Sequence, residues 1–213
     1  MKFSTFSILG DSISTFAGFI PSQNEAFYPR IGYDVTEVDQ TWWRLLEKET
    51  SLHLVANESY SGSRVSKTGA RPVWTSFLSD KRQANLESET IIIFGGTNDY
   101  GQENPASLAV FSAAYEELVA TMLANHQQSE LFFCTPLQRT DRAIDEPNSQ
   151  GWNQKELAET IRTCLKRHEK AHLIDLASYP IQQGDGLLQD QLHPTKEGMR
   201  LLCRLIKKSL ECY

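Results

Sequence analysis

Five short apolar runs punctuate the chain, and their continuity constrains the fold more than any other feature. They read "FSILG" (6–10), "LHLVAN" (52–57), "TIIIFGG" (90–96), "ELFFCTP" (130–136) and "HLIDLA" (172–177). A strand with one wet face alternates apolar and polar residues. An unbroken, β-branched run such as "TIIIF" predicts a strand covered on both faces, as in a parallel sheet. Helical patterns fill the intervals. Residues 41–50 carry "TWWRLLEKET", and 107–126 place Leu108, Phe111, Tyr115, Leu118 and Met122 on one stripe. Residues 152–168 do the same with Leu157, Ile161 and Leu165, and a last helix opens after Pro194 with Thr195 at its N-cap position. Strand–helix alternation predicts a doubly wound α/β domain with helices on both faces, whose ligands bind beyond the carboxyl ends of the strands.

A length of 213 residues suits one domain over 1–213. With 40% hydrophobic and 23% charged residues the chain reads as soluble and globular. Its net charge is −6 and its Lys and Arg are scattered, which argues against nucleic acid and anionic membrane surfaces as partners. No apolar stretch reaches transmembrane length. "MKFSTFSILGDS" is too interrupted for a signal peptide and reads as the first strand, so a cytoplasmic location is expected. Cys134, Cys164, Cys203 and Cys212 lack CxxC spacing and are expected to be reduced, mostly in the core. Three long connections, 18–40, 61–88 and 136–151, exceed the usual loop length and flank strand ends, where a site would lie.

Four segments carry groups capable of chemistry. "GDSIS" puts Ser12 at the turn after the first strand, where Asp11 or Ser12 could also simply cap a helix. "NESYSGSRV" offers Gly62, whose backbone N–H would be unhindered. "GGTNDYG" projects Asn98 from the end of the strongest strand; a neutral amide there can donate to a developing oxyanion, though an Asn–Asp turn accounts for the same residues. "DQLHP" sets His193 three residues after Asp190, a spacing that lets the carboxylate fix the imidazole tautomer. The order Ser, Asp, His is one in which nucleophilic triads occur. The G-x-S-x-G elbow is absent, because residue 14 is Ser.

Together "GDSIS", "SGS", "GGTND" and "DQLHP" resemble the SGNH/GDSL hydrolase superfamily, in its order and over nearly the whole chain. The resemblance implies a three-layer α/β/α, flavodoxin-like fold with a five-stranded parallel sheet. It implies Ser12 as nucleophile, His193 as base and Asp190 as its orienting acid. The oxyanion donors would be the Ser12 N–H, the Gly62 N–H and the Asn98 side chain. Ser61 and Ser63 compete with Gly62 for that assignment, and Ile13 stands where the family usually has leucine. The implied activity is ester hydrolysis through an acyl-enzyme on a small-molecule ester, with no metal or organic cofactor.

Asp11, Arg64, Trp74, Asp99 and Tyr100 are the candidate substrate contacts, with Asp99 alternatively a turn residue that sets Asn98. Aromatic and Arg residues in the long loops favour a short acyl group, such as acetyl, on a carbohydrate or another small molecule; a lysophospholipid or thioester is the alternative. One competing motif is "HEKAH" (168–172), which satisfies H-E-x-x-H. A charged helix end running into a strand is its more economical reading, with His168 and Lys170 suited to the helix C-terminus. A non-catalytic binding module on the same fold finds no support in the residues. Of Trp42 and Trp43, one is expected in the core and the other beside the 18–40 loop.

Overall fold

The computed structural model describes residues 2–213. The strands are β1 (Thr5–Gly10), β2 (His53–Asn57), β3 (Thr90–Phe94), β4 (Glu130–Cys134) and β5 (Ala171–Ile174). The helices are α1 (Trp42–Glu49), α2 (Asp80–Gln83), α3 (Thr97–Gly101), α4 (Leu108–Asn125), α5 (Gln154–Leu165) and α6 (Lys196–Leu210). All pairings are parallel and the strand order is β2-β1-β3-β4-β5. This is the flavodoxin-like order of a doubly wound sheet, and its switch point lies between β1 and β3.

Alternate side chains of the central strands feed two cores. Phe6, Ile8, Ile92, Phe94 and Phe132 face the layer that contains α1 and α6, through Trp42, Leu46, Leu202 and Ile206. Leu9, Ile91, Ile93, Leu131 and Phe133 face α4 and α5, through Phe111, Leu118, Leu157 and Ile161. β3 is buried at every position, as its unbroken run requires. The outer strands depart from that pattern: β2 alternates, with Val55 51% exposed, because an edge strand has one uncovered side.

Helix starts follow their caps. Thr195 Oγ1 accepts from Gly198 N at the head of α6, Ser107 Oγ from Val110 N at α4, and Asn153 with Glu156 forms a capping box at α5. Cys134, Cys164 and Cys203 are buried free thiols, and Cys212 is exposed. Among the described residues no helix is long and apolar enough to cross a membrane.

Candidate active site

The switch point positions the first residue of interest. β1 ends at Gly10, where a Cβ would meet Ser59 Oγ at 2.5 Å and Ser14 Cβ at 2.9 Å, so only glycine fits. The chain then forms a 3-10 turn over Ser12–Ser14, capped by Asp11 Oδ1, which accepts from Ile13 N at 3.1 Å. Ile13 sinks into the core, so the apolar anchor is kept without leucine. Ser14 locks the turn: Trp42 Nε1 donates to its Oγ at 3.1 Å, and Trp43 Nε1 and Asn57 Nδ2 donate to its carbonyl at 3.0 and 2.9 Å. Both indoles are fully buried, and Trp43 packs beside the 18–40 loop against Phe19, ring centroids 6.2 Å apart. Capping falls to Asp11, which leaves the Ser12 hydroxyl free to face across the sheet end.

His193 meets that hydroxyl from far along the chain. Its Nε2 lies 2.9 Å from Ser12 Oγ, and its Nδ1 lies 2.8 Å from Asp190 Oδ2. Asp190 Oδ1 accepts the backbone N–H of His193 at 2.7 Å and of Leu192 at 3.2 Å. So tight a turn places Gln191 at φ +67°, a conformation that non-glycine residues seldom adopt. Bonds from Thr140 N to the Gln191 carbonyl and from Gln189 N to the His193 carbonyl, both 2.8 Å, hold it there. Partial burial pushes the Asp190 carboxyl up, but the His193 side-chain and backbone bonds, the imidazole charge and a bond from Tyr33 outweigh it and hold the group well below the usual carboxylate range.

Asn98 lies in α3, just past the left-handed Gly96 (φ +116°). Its Nδ2 donates to the Ser63 carbonyl at 2.9 Å, and its Oδ1 accepts from Gln102 Nε2 at 3.2 Å. Gln102 Nε2 also bonds the Gly62 carbonyl at 2.9 Å, tying the two oxyanion candidates together. The Ser61 N–H is bonded to the Glu25 carbonyl and the Ser63 N–H to that of Tyr60. Gly62 N–H and Ser12 N–H find no acceptor among the described residues, so Gly62 is the member of its trio with a donor to spare. Gly62 also needs to be glycine: its φ is +75°, and a Cβ would meet Arg71 Nε at 2.5 Å.

The sequence matches the GDSL-like Lipase/Acylhydrolase family over residues 4–210. The chain belongs to this family. Solved structures assigned to the GDSL-like lipases agree over the full length. One from Bacteroides ovatus is 28% identical with a TM-score of 0.73, covering 100% of both chains. One from Bacteroides uniformis is 28% identical with a TM-score of 0.74, covering 99% of this chain and 97% of that one. Est24, a carbohydrate acetylesterase from Sinorhizobium meliloti, shares the fold at 17% identity and a TM-score of 0.70, with 98% of each chain covered. Among curated protein sequences none matches the chain. The protein is thus an ester-hydrolysing enzyme of the GDSL-like type.

Around this GDSL-like centre the other candidate residues divide. Trp74 stays 41% exposed and packs edge-on against Tyr60, with ring centroids 5.4 Å apart. Four others, Asp11, Arg64, Asp99 and Tyr100, turn inward and bond or pack within the protein. Asp11 is 1% exposed and serves as the cap described above. Arg64 spends its guanidinium on Gln102, Thr68 and the Asn104 carbonyl. Asp99 accepts from Val65 N at 2.7 Å, Ser66 N at 3.0 Å and Ser66 Oγ at 2.5 Å, which staples the loop after Gly62 to α3. Tyr100 packs on Trp152 at 5.3 Å and its hydroxyl bonds the Glu146 carbonyl.

Arg82, which no motif singled out, braces the GDSL-like site from beneath. Its buried guanidinium donates to the carbonyls of Gly10, Glu58 and Thr75 and to Ser63 Oγ, joining the segments that carry Ser12 and Gly62. Burial lowers it to about 10, with Glu58 and Asp11 opposing. The "HEKAH" pair does not converge: His172 opens the second position of β5 and bonds Glu130 at 2.7 Å, while His168, past the end of α5, faces Glu116 at 3.4 Å. Glu116, Cys164 and His168 do bring three donor atoms within 4.8 Å of one another. Glu116 is already ion-paired to Arg167, and burial pushes the Cys164 thiol up to about 11, so its sulfur stays protonated and a poor ligand.

Proposed function

We propose that this enzyme is a serine esterase of one domain that works through an acyl-enzyme, using Ser12, His193 and Asp190. The observation that carries the reading is the unbroken relay from Asp190 Oδ2 to His193 Nδ1 at 2.8 Å and from His193 Nε2 to Ser12 Oγ at 2.9 Å. Ser12 Oγ attacks the ester carbonyl carbon while His193 Nε2 takes its proton. The Ser12 N–H, the Gly62 N–H and the second Asn98 Nδ2 hydrogen receive the developing oxyanion. His193 then protonates the departing alcohol. Water, deprotonated by the same imidazole, attacks the acyl-Ser12 carbonyl and releases the acid. Each oxyanion donor contributes on the order of 10²–10³ in rate.

A short acyl group fits this centre best. Ser12, Asn98 and His193 keep only 4, 7 and 8% of their surfaces exposed, and such covered reacting groups favour a small acyl group. Exposed Trp74 supplies a flat apolar ring of the kind that stacks on sugars, which favours acetyl groups on a carbohydrate. Est24, a carbohydrate acetylesterase, shares the fold. The test is hydrolysis of p-nitrophenyl esters from C2 to C12 by wild type and Ser12→Ala. The expected result is a maximum at C2 and loss of nearly all activity in the variant. Equal rates in the two proteins would end the reading, and a maximum at long chains would replace the acetyl substrate by a lysophospholipid or fatty thioester.

A further inference from the structure

Three aromatic rings from the 18–40 connection enclose the His193 imidazole. Phe27 lies face to face with it, centroids 3.5 Å apart and planes 9° apart. Tyr28 and Tyr33 both stand edge-on at 6.4 Å, at 83° and 84°. Two of the three also bond the loop that carries the imidazole. Tyr28 Oη donates to the Pro194 carbonyl at 2.9 Å, and Tyr33 Oη donates to Asp190 Oδ2 at 2.8 Å. The second bond is the informative one, because it lands on the same oxygen that receives His193 Nδ1, at the same distance.

Tyr33 and His193 are, among the described residues, the side chains bonded to Asp190. Other charged and titratable groups nearby are engaged elsewhere. The Arg30 guanidinium packs over the Phe27 and Tyr33 rings at 5.0 and 5.7 Å, and Asp34 accepts the Lys196 backbone N–H at the head of α6. Asp11 caps the Ser12 turn. Burial, then the bond to Asp190, push the Tyr33 phenol up, so at neutral pH it keeps its proton and donates.

We infer that Tyr33 is a positioning residue of the Asp190–His193 pair, one that shares the Oδ2 acceptor with the imidazole and so sets the pH at which His193 can accept the Ser12 proton. A carboxylate oxygen that already accepts one donor is a weaker acceptor for a second. The cationic imidazole, a stronger donor than the neutral ring, loses more from that competition. Tyr33 therefore favours the neutral base, while the Phe27 stack holds the ring plane that aims Nε2 at Ser12. This inference rests on the esterase reading for its catalytic meaning, and on the geometry alone for the coupling itself.

Tyr33→Phe keeps the ring and removes only the hydroxyl. The experiment follows the His193 imidazole by ¹⁵N–¹H NMR across a pH titration in wild type and variant. In parallel it records the pH dependence of kcat/KM for p-nitrophenyl acetate. The expected result is that the imidazole midpoint and the acid limb of the rate profile move upward together by roughly half a pH unit. KM at high pH should change by less than about twofold. An unmoved NMR midpoint overturns the inference whatever the activity. A moved midpoint in a protein that hydrolyses no ester supports the coupling and ends the esterase reading instead. The same exchange in an Asp190→Asn background should leave the midpoint where Asp190→Asn alone puts it. A full shift there would mean that Tyr33 acts by another route and would also overturn the proposal.

Discussion

Asp11 stands next to Ser12 in sequence but caps the turn instead, accepting from Ile13 N. Burial pushes its carboxyl up to about 7, with the Ile13 N–H and Arg82 pulling back. An unfolded aspartate ionises near about 4. Between those values the folded chain holds a proton that the unfolded chain has released, so this residue makes stability fall as pH rises from about 4 to about 7, and level off above. Asp11→Asn keeps the acceptor for Ile13 N and removes the charge. Its Tm advantage over wild type should grow across that window and stay constant above it; an advantage independent of pH would contradict the assignment. At the proposed oxyanion donors, Asn98→Ala should lower kcat by about 10²–10³ with little change in KM. Gly62→Ala should also lower kcat, because a Cβ must displace Arg71 and the backbone must hold φ +75°. Steady-state kinetics on both variants checks this, and a pure KM effect would speak against the oxyanion role.

Among the elements, α2 braces the site through Arg82. The Arg82 guanidinium satisfies acceptors on Gly10, Glu58, Ser63 and Thr75 in a buried space. Arg82→Leu would leave them unpaired, and we expect a loss of about 3–5 kcal/mol in urea unfolding. A loss under 1 kcal/mol would show that the brace is dispensable. Nothing in "SDKRQANLE" marks this arginine, because its partners lie up to 72 residues away and only the folded chain brings them together. The same holds for Phe27 and Tyr33, which read as loop aromatics. By contrast, the strands, the capped helices and the Ser12, Asn98, Asp190 and His193 segments are legible locally. Each couples an apolar run or a cap to a turn, and that information lies within about ten residues. The internal bonds of Arg64, Asp99 and Tyr100 are not legible either, because their partners are again remote in sequence.

At the scale of the whole molecule, the strand order decides where chemistry occurs. β1 and β3 are neighbours, so the residues after Gly10 and after Phe94 emerge side by side in the crevice where the winding reverses. The two cores on either face hold that rim rigid. Ile92, at the centre of β3 and fully buried, is one side chain on which the α1–α6 face rests. Ile92→Ala should cost about 2–5 kcal/mol in unfolding free energy while leaving kcat nearly unchanged in the fraction that stays folded. Residues 12 and 193, 181 positions apart, are proposed to meet as an activated hydroxyl and its base. A fluorophosphonate, which forms a covalent bond only with an activated serine, tests this pairing most directly when followed by intact-mass and peptide mass spectrometry. The expected result is one adduct per chain, on the Ser12 peptide of the wild type, absent in Ser12→Ala and strongly slowed in His193→Ala. No adduct on the wild type, or equal labelling of all three proteins, would contradict it.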